Sequence, residues 1–211
     1  SFRVTGVQTC ALPICLDPPA RAVYRSAARA MNPGLIIIDM QTAAFEAAAA
    51  PKHDANGTIA RINRPADTVR AASGSVLFVQ HDGPPGDAFQ PGTPGWQLWP
   101  ALDRKPADLV VRKTACDSFL GTTLDATLHD RAIDRLIITG WATDYCVDTT
   151  VRAALARGWP TIVPADGHTC ADRPHLPAVK IIEHHNAIWA DFVAPRGPAI
   201  VQPCEAIRLS T

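Results

Sequence analysis

From about residue 33 onward, short runs of consecutive apolar residues alternate with longer stretches whose apolar positions recur at helical spacing. Six runs read as strands, at residues 35–38, 75–80, 108–112, 135–139, 161–163 and 199–202. They are too short for helices and continuously apolar, as strands covered on both faces must be. Helices are predicted around residues 59–72, 122–130, 144–157 and 175–192. Pro65 interrupts the first and predicts a kink there or a start delayed to about Ala66. Strand alternating with helix is the mark of an α/β domain with a parallel sheet.

One long segment escapes this pattern. Residues 81–106 are rich in Gly and Pro, with Gly83-Pro84-Pro85-Gly86 and Pro91-Gly92-Thr93-Pro94-Gly95-Trp96. A loop that long inside a compact domain is usually a lid or a binding loop. It carries Trp96 and Trp99, which either wall a pocket or anchor the loop to the core or to a second subunit.

Composition narrows the function classes. Twenty basic residues balance twenty acidic ones, and no basic stripe interleaves with aromatics, which argues against nucleic acid as a partner. No apolar run is long enough to span a bilayer. The six cysteines have irregular spacing and no CxxC pair, so neither a disulfide framework nor a zinc site is indicated, and a reducing cytoplasm is the expected compartment. Residues 1–31 are set apart. Val4 to Ile14 match the translation of a common sequencing-adaptor oligonucleotide, so this segment is read as an adaptor-derived artefact plus an N-terminal extension, with a natural start at Met31. Cys10 and Cys15 carry no functional weight on that reading, and residues 32–211 form one domain.

The chemistry concentrates at strand ends. Leu136-Ile137-Ile138 leads to Gly140, Thr143 or Asp144 offers a helix N-cap, and Cys146 falls in the first turn of the predicted helix. The helix dipole and free first-turn amides favour thiolate there and could hold an oxyanion. An isolated buried cysteine is ordinarily packing. Here two other strands also end on reactive groups: residues 35–38 on Asp39, and residues 108–112 on Lys113. In parallel α/β sheets functional groups gather at the carboxyl ends of strands, and an acid, a cation and a thiol are the parts of an activated nucleophile.

Three motifs in order, Ile37-Ile38-Asp39-Met40-Gln41, then Lys113 with Cys116-Asp117-Ser118-Phe119, then Gly140-Trp141-Ala142-Thr143 with Cys146-Val147 and Thr150, resemble the isochorismatase-like cysteine hydrolases. The resemblance runs from about Pro33 to Val193. It implies a three-layer α/β/α domain whose six-stranded parallel sheet has the order 3-2-1-4-5-6, and a catalytic triad of Asp39, Lys113 and Cys146. Asp39 would take the thiol proton and later activate water, Lys113 would hold the carboxylate, and Cys146 would attack a carbonyl and form a thioester. It further implies a cis peptide at Trp141–Ala142, oxyanion donors at the Ala142 and Cys146 amides, and homo-oligomeric assembly. Trp141, Trp96, His81, Phe119 and Gln41 are the substrate-binding candidates.

Metal-binding members carry an Asp-x-His pair soon after the first strand. Lys52-His53-Asp54 has neither that order nor that spacing, and His184 and His185 are neighbours on one helix, so no metal and no cofactor are expected. The resulting expectation is a metal-independent amidohydrolase acting on a small-molecule amide. A nicotinamidase or a lactam hydrolase of the streptothricin type is the alternative within the class, and a non-catalytic binding member of the fold is the alternative outside it.

Overall fold

The apolar runs assemble into one sheet in which every strand pairing is parallel. The computed structural model describes residues 31–46 and 50–209, so the adaptor-like segment, with Cys10 and Cys15, lies outside the described residues. In chain order the strands are β1 (Pro33–Ile38), β2 (Ser75–His81), β3 (Leu109–Lys113), β4 (Arg135–Trp141), β5 (Thr161–Pro164), β6 (His168–Thr169) and β7 (Ile200–Gln202). The helices are α1 (Thr42–Phe45), α2 (Ala55–Ala71), α3 (Leu124–Asp130), α4 (Asp148–Ala156) and α5 (Ala178–Ala190). The sheet order is β3-β2-β1-β4-β5-β7, with the two-residue β6 pairing β4 off that path. Strand β6 escapes the sequence reading because two residues carry no periodicity.

Alternation within the strands separates two cores. Leu35, Ile37, Val76, Phe78 and Ile137 face α2, where Ile59, Ile62, Ala66 and Val69 form a buried stripe. Ile36, Ile38, Leu77, Val79, Leu136 and Ile138 face the other side, against Leu124 and Leu128 of α3, Val151 and Leu155 of α4, and Trp189 of α5. Neighbouring residues of one strand point to opposite faces, so strands buried on both sides read as unbroken apolar runs.

Helix α2 corrects the prediction at Pro65. The helix begins at Ala55, not at Ala66, and Pro65 lies buried within it. The missing N–H forfeits one helical bond, but the stripe from Ile59 to Val69 must stay continuous to cover the sheet, and tertiary burial outweighs local propensity. Among the described residues, no helix is long and apolar enough to cross a membrane.

Strands β1 and β4 lie side by side at the centre, with Ile38 opposite Gly140. Gly140 has φ of 126°, and a Cβ there would collide with the Ile38 backbone, its carbonyl oxygen nearest. The two strand ends that carry Asp39 and the Trp141 turn can approach this closely only because no side chain intervenes. Gly140→Ala is therefore expected to lower stability by about 2–6 kcal/mol, summing unfavourable φ and overpacking. Urea unfolding followed by circular dichroism measures this, and a midpoint equal to the parent's would refute it.

Candidate active site

Three parallel strands, β1, β3 and β4, bring the candidate groups to the same end of the sheet, with β2 between β3 and β1. Asp39 follows β1 with a left-handed φ of 50°, and its amide donates to the Val79 carbonyl at 2.9 Å. Lys113 closes β3, and Cys146 lies beyond β4. The Lys113 ammonium sits 2.6 Å from Asp39 Oδ2, 2.9 Å from the Ala115 carbonyl oxygen and 3.2 Å from Cys146 Sγ. Those three contacts use its three donors. Lys113 and Asp39 are both almost wholly buried, and Cys146 is 9% exposed.

The electrostatics follow from that burial. Desolvation raises the Asp39 pKa, with the Lys113 ammonium as the main opposing influence. Burial works against the charge of Lys113, but the Asp39 carboxylate and the Cys146 sulfur outweigh it and its pKa is raised, so the ammonium persists. For Cys146, burial and then the Asp39 charge push the thiol pKa up, against Lys113. Burial and the adjacent carboxylate thus favour the neutral thiol, opposing the thiolate that the helix start and the Lys113 cation favour. The helix start is also different from the predicted one. Residues Thr143–Val147 form a π-helical turn, and α4 begins at Asp148. The Ala142 carbonyl accepts from both the Tyr145 and the Val147 amides at 3.1 Å, and the Cys146 amide between them does not share that acceptor. The peptide bond joining Trp141 to Ala142 is cis.

Above the sulfur lies a cavity of about 230 Å³ lined by Asp39, His81, Asp87, Phe89, Cys116, Trp141, Ala142, Tyr145 and Cys146. Of the proposed substrate-binding residues, His81 and Trp141 line it. Burial, then the nearby Lys113 charge, lowers the His81 pKa and favours the neutral imidazole. Asp39 Oδ1, His81 Nδ1 and Trp141 Nε1 are buried without a hydrogen-bond partner among the described residues. The Phe89 ring stacks on Trp141 with centroids 6.0 Å apart, and the Lys52 ammonium lies 5.5 Å from the Trp141 centroid.

Three other candidates do not line the cavity. Gln41 is fully buried, and its side-chain amide is spent on the loop after β2: Nε2 donates to the His81 and Trp96 carbonyls at 3.0 and 2.8 Å, and Oε1 accepts from the His81 amide at 2.8 Å. Trp96 anchors that loop, its indole N–H donating to Asp82 at 2.8 Å while the Arg112 guanidinium covers its ring at 5.0 Å. Phe119 is buried in the core under Arg157, whose guanidinium lies 4.6 Å from the ring centroid. Phe89, Asp87, Cys116 and Tyr145 were not singled out as cavity residues. Tyr145 adjoins Cys146 in the chain and could have been, but Phe89 sits in a loop whose path no periodicity describes.

Among the described residues, no three His, Cys, Asp or Glu side chains gather as a metal cluster. The acids that follow His81 and His53 in the chain already have partners, Asp82 with Arg112 at 2.8 Å and Asp54 with Arg61 at 2.8 Å.

Comparison with known proteins finds relatives of this chain. The family model for the isochorismatase domain matches residues 33–191. A streptothricin hydrolase of Streptomyces noursei is 34% identical over 75% of this chain and 64% of its own length. A ureidoacrylate amidohydrolase of Variovorax paradoxus is 32% identical over 61% of this chain and 65% of its own. The chain thus spans just under two thirds of the length of these two relatives. A crystal structure of an isochorismatase family protein aligns with a TM-score of 0.74 and 30% identity, covering 81% of this chain and 97% of the other.

Removing one partner from the buried pair leaves an uncompensated charge. Lys113→Met is expected to cost about 3–5 kcal/mol at neutral pH. The gap should narrow as pH falls: with its pKa raised further, Asp39 takes up a proton in the folded variant more readily than in the unfolded one. Unfolding at neutral and acid pH tests this, and a pH-independent gap would refute it.

Proposed function

Because this chain belongs to the isochorismatase family, we propose that it is a cysteine amidohydrolase that cleaves a C–N bond of a small molecule through a thioester. One observation carries the reading. A single buried ammonium touches both the Asp39 carboxylate and the Cys146 sulfur at the floor of a cavity, and the second Asp39 oxygen has no hydrogen-bond partner among the described residues. A structural ion pair would have no need of a thiol as its third member.

The mechanism starts from a neutral thiol and a carboxylate. Asp39 takes the Sγ proton as Sγ attacks the carbonyl carbon, so charge forms on sulfur only while the bond is being made. The Ala142 and Cys146 amides receive the oxyanion; the loss of one such donor typically costs about 2.7–4 kcal/mol. The tetrahedral intermediate collapses, the C–N bond breaks, and Asp39 returns its proton to the departing amine or ammonia. Asp39 then takes a proton from water as the water attacks the thioester and hands it to Sγ as the C–S bond breaks, which releases the acid and restores the thiol and the carboxylate. Lys113 stays protonated throughout and keeps Asp39 aimed at the sulfur.

The likeness to streptothricin hydrolase and ureidoacrylate amidohydrolase suggests lactams and ureides as substrate classes. The cavity is below the roughly 300–1,000 Å³ of pockets for drug-sized ligands. It therefore suits a small amide, or the reacting end of a larger molecule that projects through the mouth.

A screen of primary amides, ureides and lactams for ammonia or amine release tests the assignment. Cys146→Ala should lower turnover by on the order of 10³-fold or more, and acid quenching should trap an acyl group on the Cys146 peptide. Release that persists in Cys146→Ala would overturn the thioester route. With the Asp39 pKa raised by burial, kcat/KM should climb with pH through an apparent pKa above about 3.9, the ordinary carboxylate value. A pH profile flat across that region would remove Asp39 as the base. Since each step uses protein groups and water, turnover should survive EDTA; a loss restored by zinc or manganese would count against the scheme.

A further inference from the structure

A second buried polar chain lies behind the nucleophile turn, and the reaction scheme makes no use of it. Thr143 opens the turn that runs to Cys146, and its Oγ1 is 2.9 Å from His168 Nδ1. His168 Nε2 is 3.0 Å from Asn186 Oδ1, and Asn186 Nδ2 is 3.0 Å from the Ala165 carbonyl oxygen. Thr143 and His168 are almost completely buried. The His168 ring also meets Trp189 edge-on at 5.1 Å, and the Trp189 indole donates to Asp148 at 2.8 Å, in the first turn of α4. One histidine and one tryptophan thus reach both ends of the segment that holds Cys146.

The chain has a fixed direction. A backbone carbonyl only accepts, so the Asn186 amino group faces Ala165 and its carbonyl oxygen faces His168. His168 Nε2 must then carry the proton, which leaves Nδ1 as a lone-pair acceptor. Thr143 must donate its hydroxyl hydrogen. Every contact is determined from the Ala165 end, and the imidazole stays neutral because burial lowers its pKa to about 4. Strand β6 sets the distance, since its pairing to β4 places His168 opposite Gly140 and Thr169 opposite Trp141.

We propose that His168 is a positioning residue for catalysis: through Thr143 it fixes the backbone between Ala142 and Cys146, and so the aim of the two oxyanion amides. This rests on the thioester reading for its catalytic consequence. A fully satisfied, buried network of this kind rigidifies what it holds. Misplacement of a reacting group by about 1 Å typically costs on the order of 100-fold.

The test uses two probes of Cys146 and two variants. p-Nitrophenyl acetate acylates the thiol and needs an oxyanion site, whereas iodoacetamide alkylates it and needs none; mass mapping assigns each adduct to the Cys146 peptide. Thr143→Val, isosteric but unable to donate, should acylate about 10- to 100-fold more slowly, with alkylation within about threefold of the parent. Thr143→Ser, which keeps the hydroxyl, should restore acylation. Thr143→Ala replaces the valine variant should that one not fold. Unchanged acylation in the variant that cannot donate, or acylation and alkylation falling together with the folded fraction, would overturn the proposal. If the parent protein shows no acylation at Cys146, the thioester reading fails by itself, and amide hydrogen exchange decides the positioning role. Exchange at residues 143–147 should quicken at least about tenfold in Thr143→Val and not in Thr143→Ser, with β1 unchanged. Equal exchange in both would overturn it.

Discussion

The Lys113 ammonium meets three demands at once: it neutralises the buried Asp39 carboxylate, touches the Cys146 sulfur and is tied to the Ala115 carbonyl. A charge so deeply buried survives only if its partners are already in place when water leaves. The neighbouring architecture provides that. Strand β3 brings the lysine, β1 brings the acid, and the turn after β4 brings the sulfur, each from a separate part of the chain. The ion pair is a poor source of net stability, but it defines one arrangement and penalises others. The same desolvation raises both Asp39 and Cys146, and with the carboxylate and the thiol side by side the two titrate as a pair.

The sheet is the instrument of that alignment. Parallel register places Ile38 beside Gly140 and His81 beside Lys113, so four strand residues next to the chemistry come to one edge of the sheet. Gly140 allows the two central strands to close up. The loop after β2 then folds over the site and is fastened from beneath by the buried Gln41 amide, which grips the His81 and Trp96 backbone. Behind the nucleophile, α5 and β6 supply a neutral, directional hydrogen-bond chain where the front supplies charge. Charged groups at the front surround the sulfur, whereas neutral groups at the back can hold geometry without adding a charge beside Asp39 or Cys146.

Much of this was legible in the chain. The central strands were readable because strands buried on both faces are apolar throughout, as in the runs from Leu35 to Ile38 and from Leu136 to Ile138. The outer strands β3 and β7 are instead partly exposed, and not covered on both faces as the sequence suggests. Asp39, Lys113 and Cys146 stood out as polar residues placed where such runs stop. Their burial together was not readable, and neither was the upward push on the thiol pKa: the dipole at a helix start is local, whereas the desolvation that opposes it depends on what covers the site. Gln41, Trp96 and Phe119 carried the same kind of signal as His81 and Trp141, yet they hold the loop and the core. Whether a polar or aromatic side chain beside a reactive residue faces a ligand or its own scaffold depends on rotamer and neighbours, which spacing does not encode.

The sequence by itself determined the positions of the main strands, the α/β class and the three strand-end residues proposed to react, because apolar periodicity and strand-end chemistry are local properties of consecutive residues. Tertiary structure alone decided the rest. It carried α2 through Pro65, since the buried stripe mattered more than one lost hydrogen bond. It widened the turn before Cys146, since the Ala142 carbonyl is shared by two amides. It stacked Phe89 on Trp141 and set His168 against Thr143, pairings 52 and 25 residues apart in the chain. Contacts at such separations depend on strand register, loop path and the competition for buried hydrogen-bond partners, and these exist only once the whole sheet has formed.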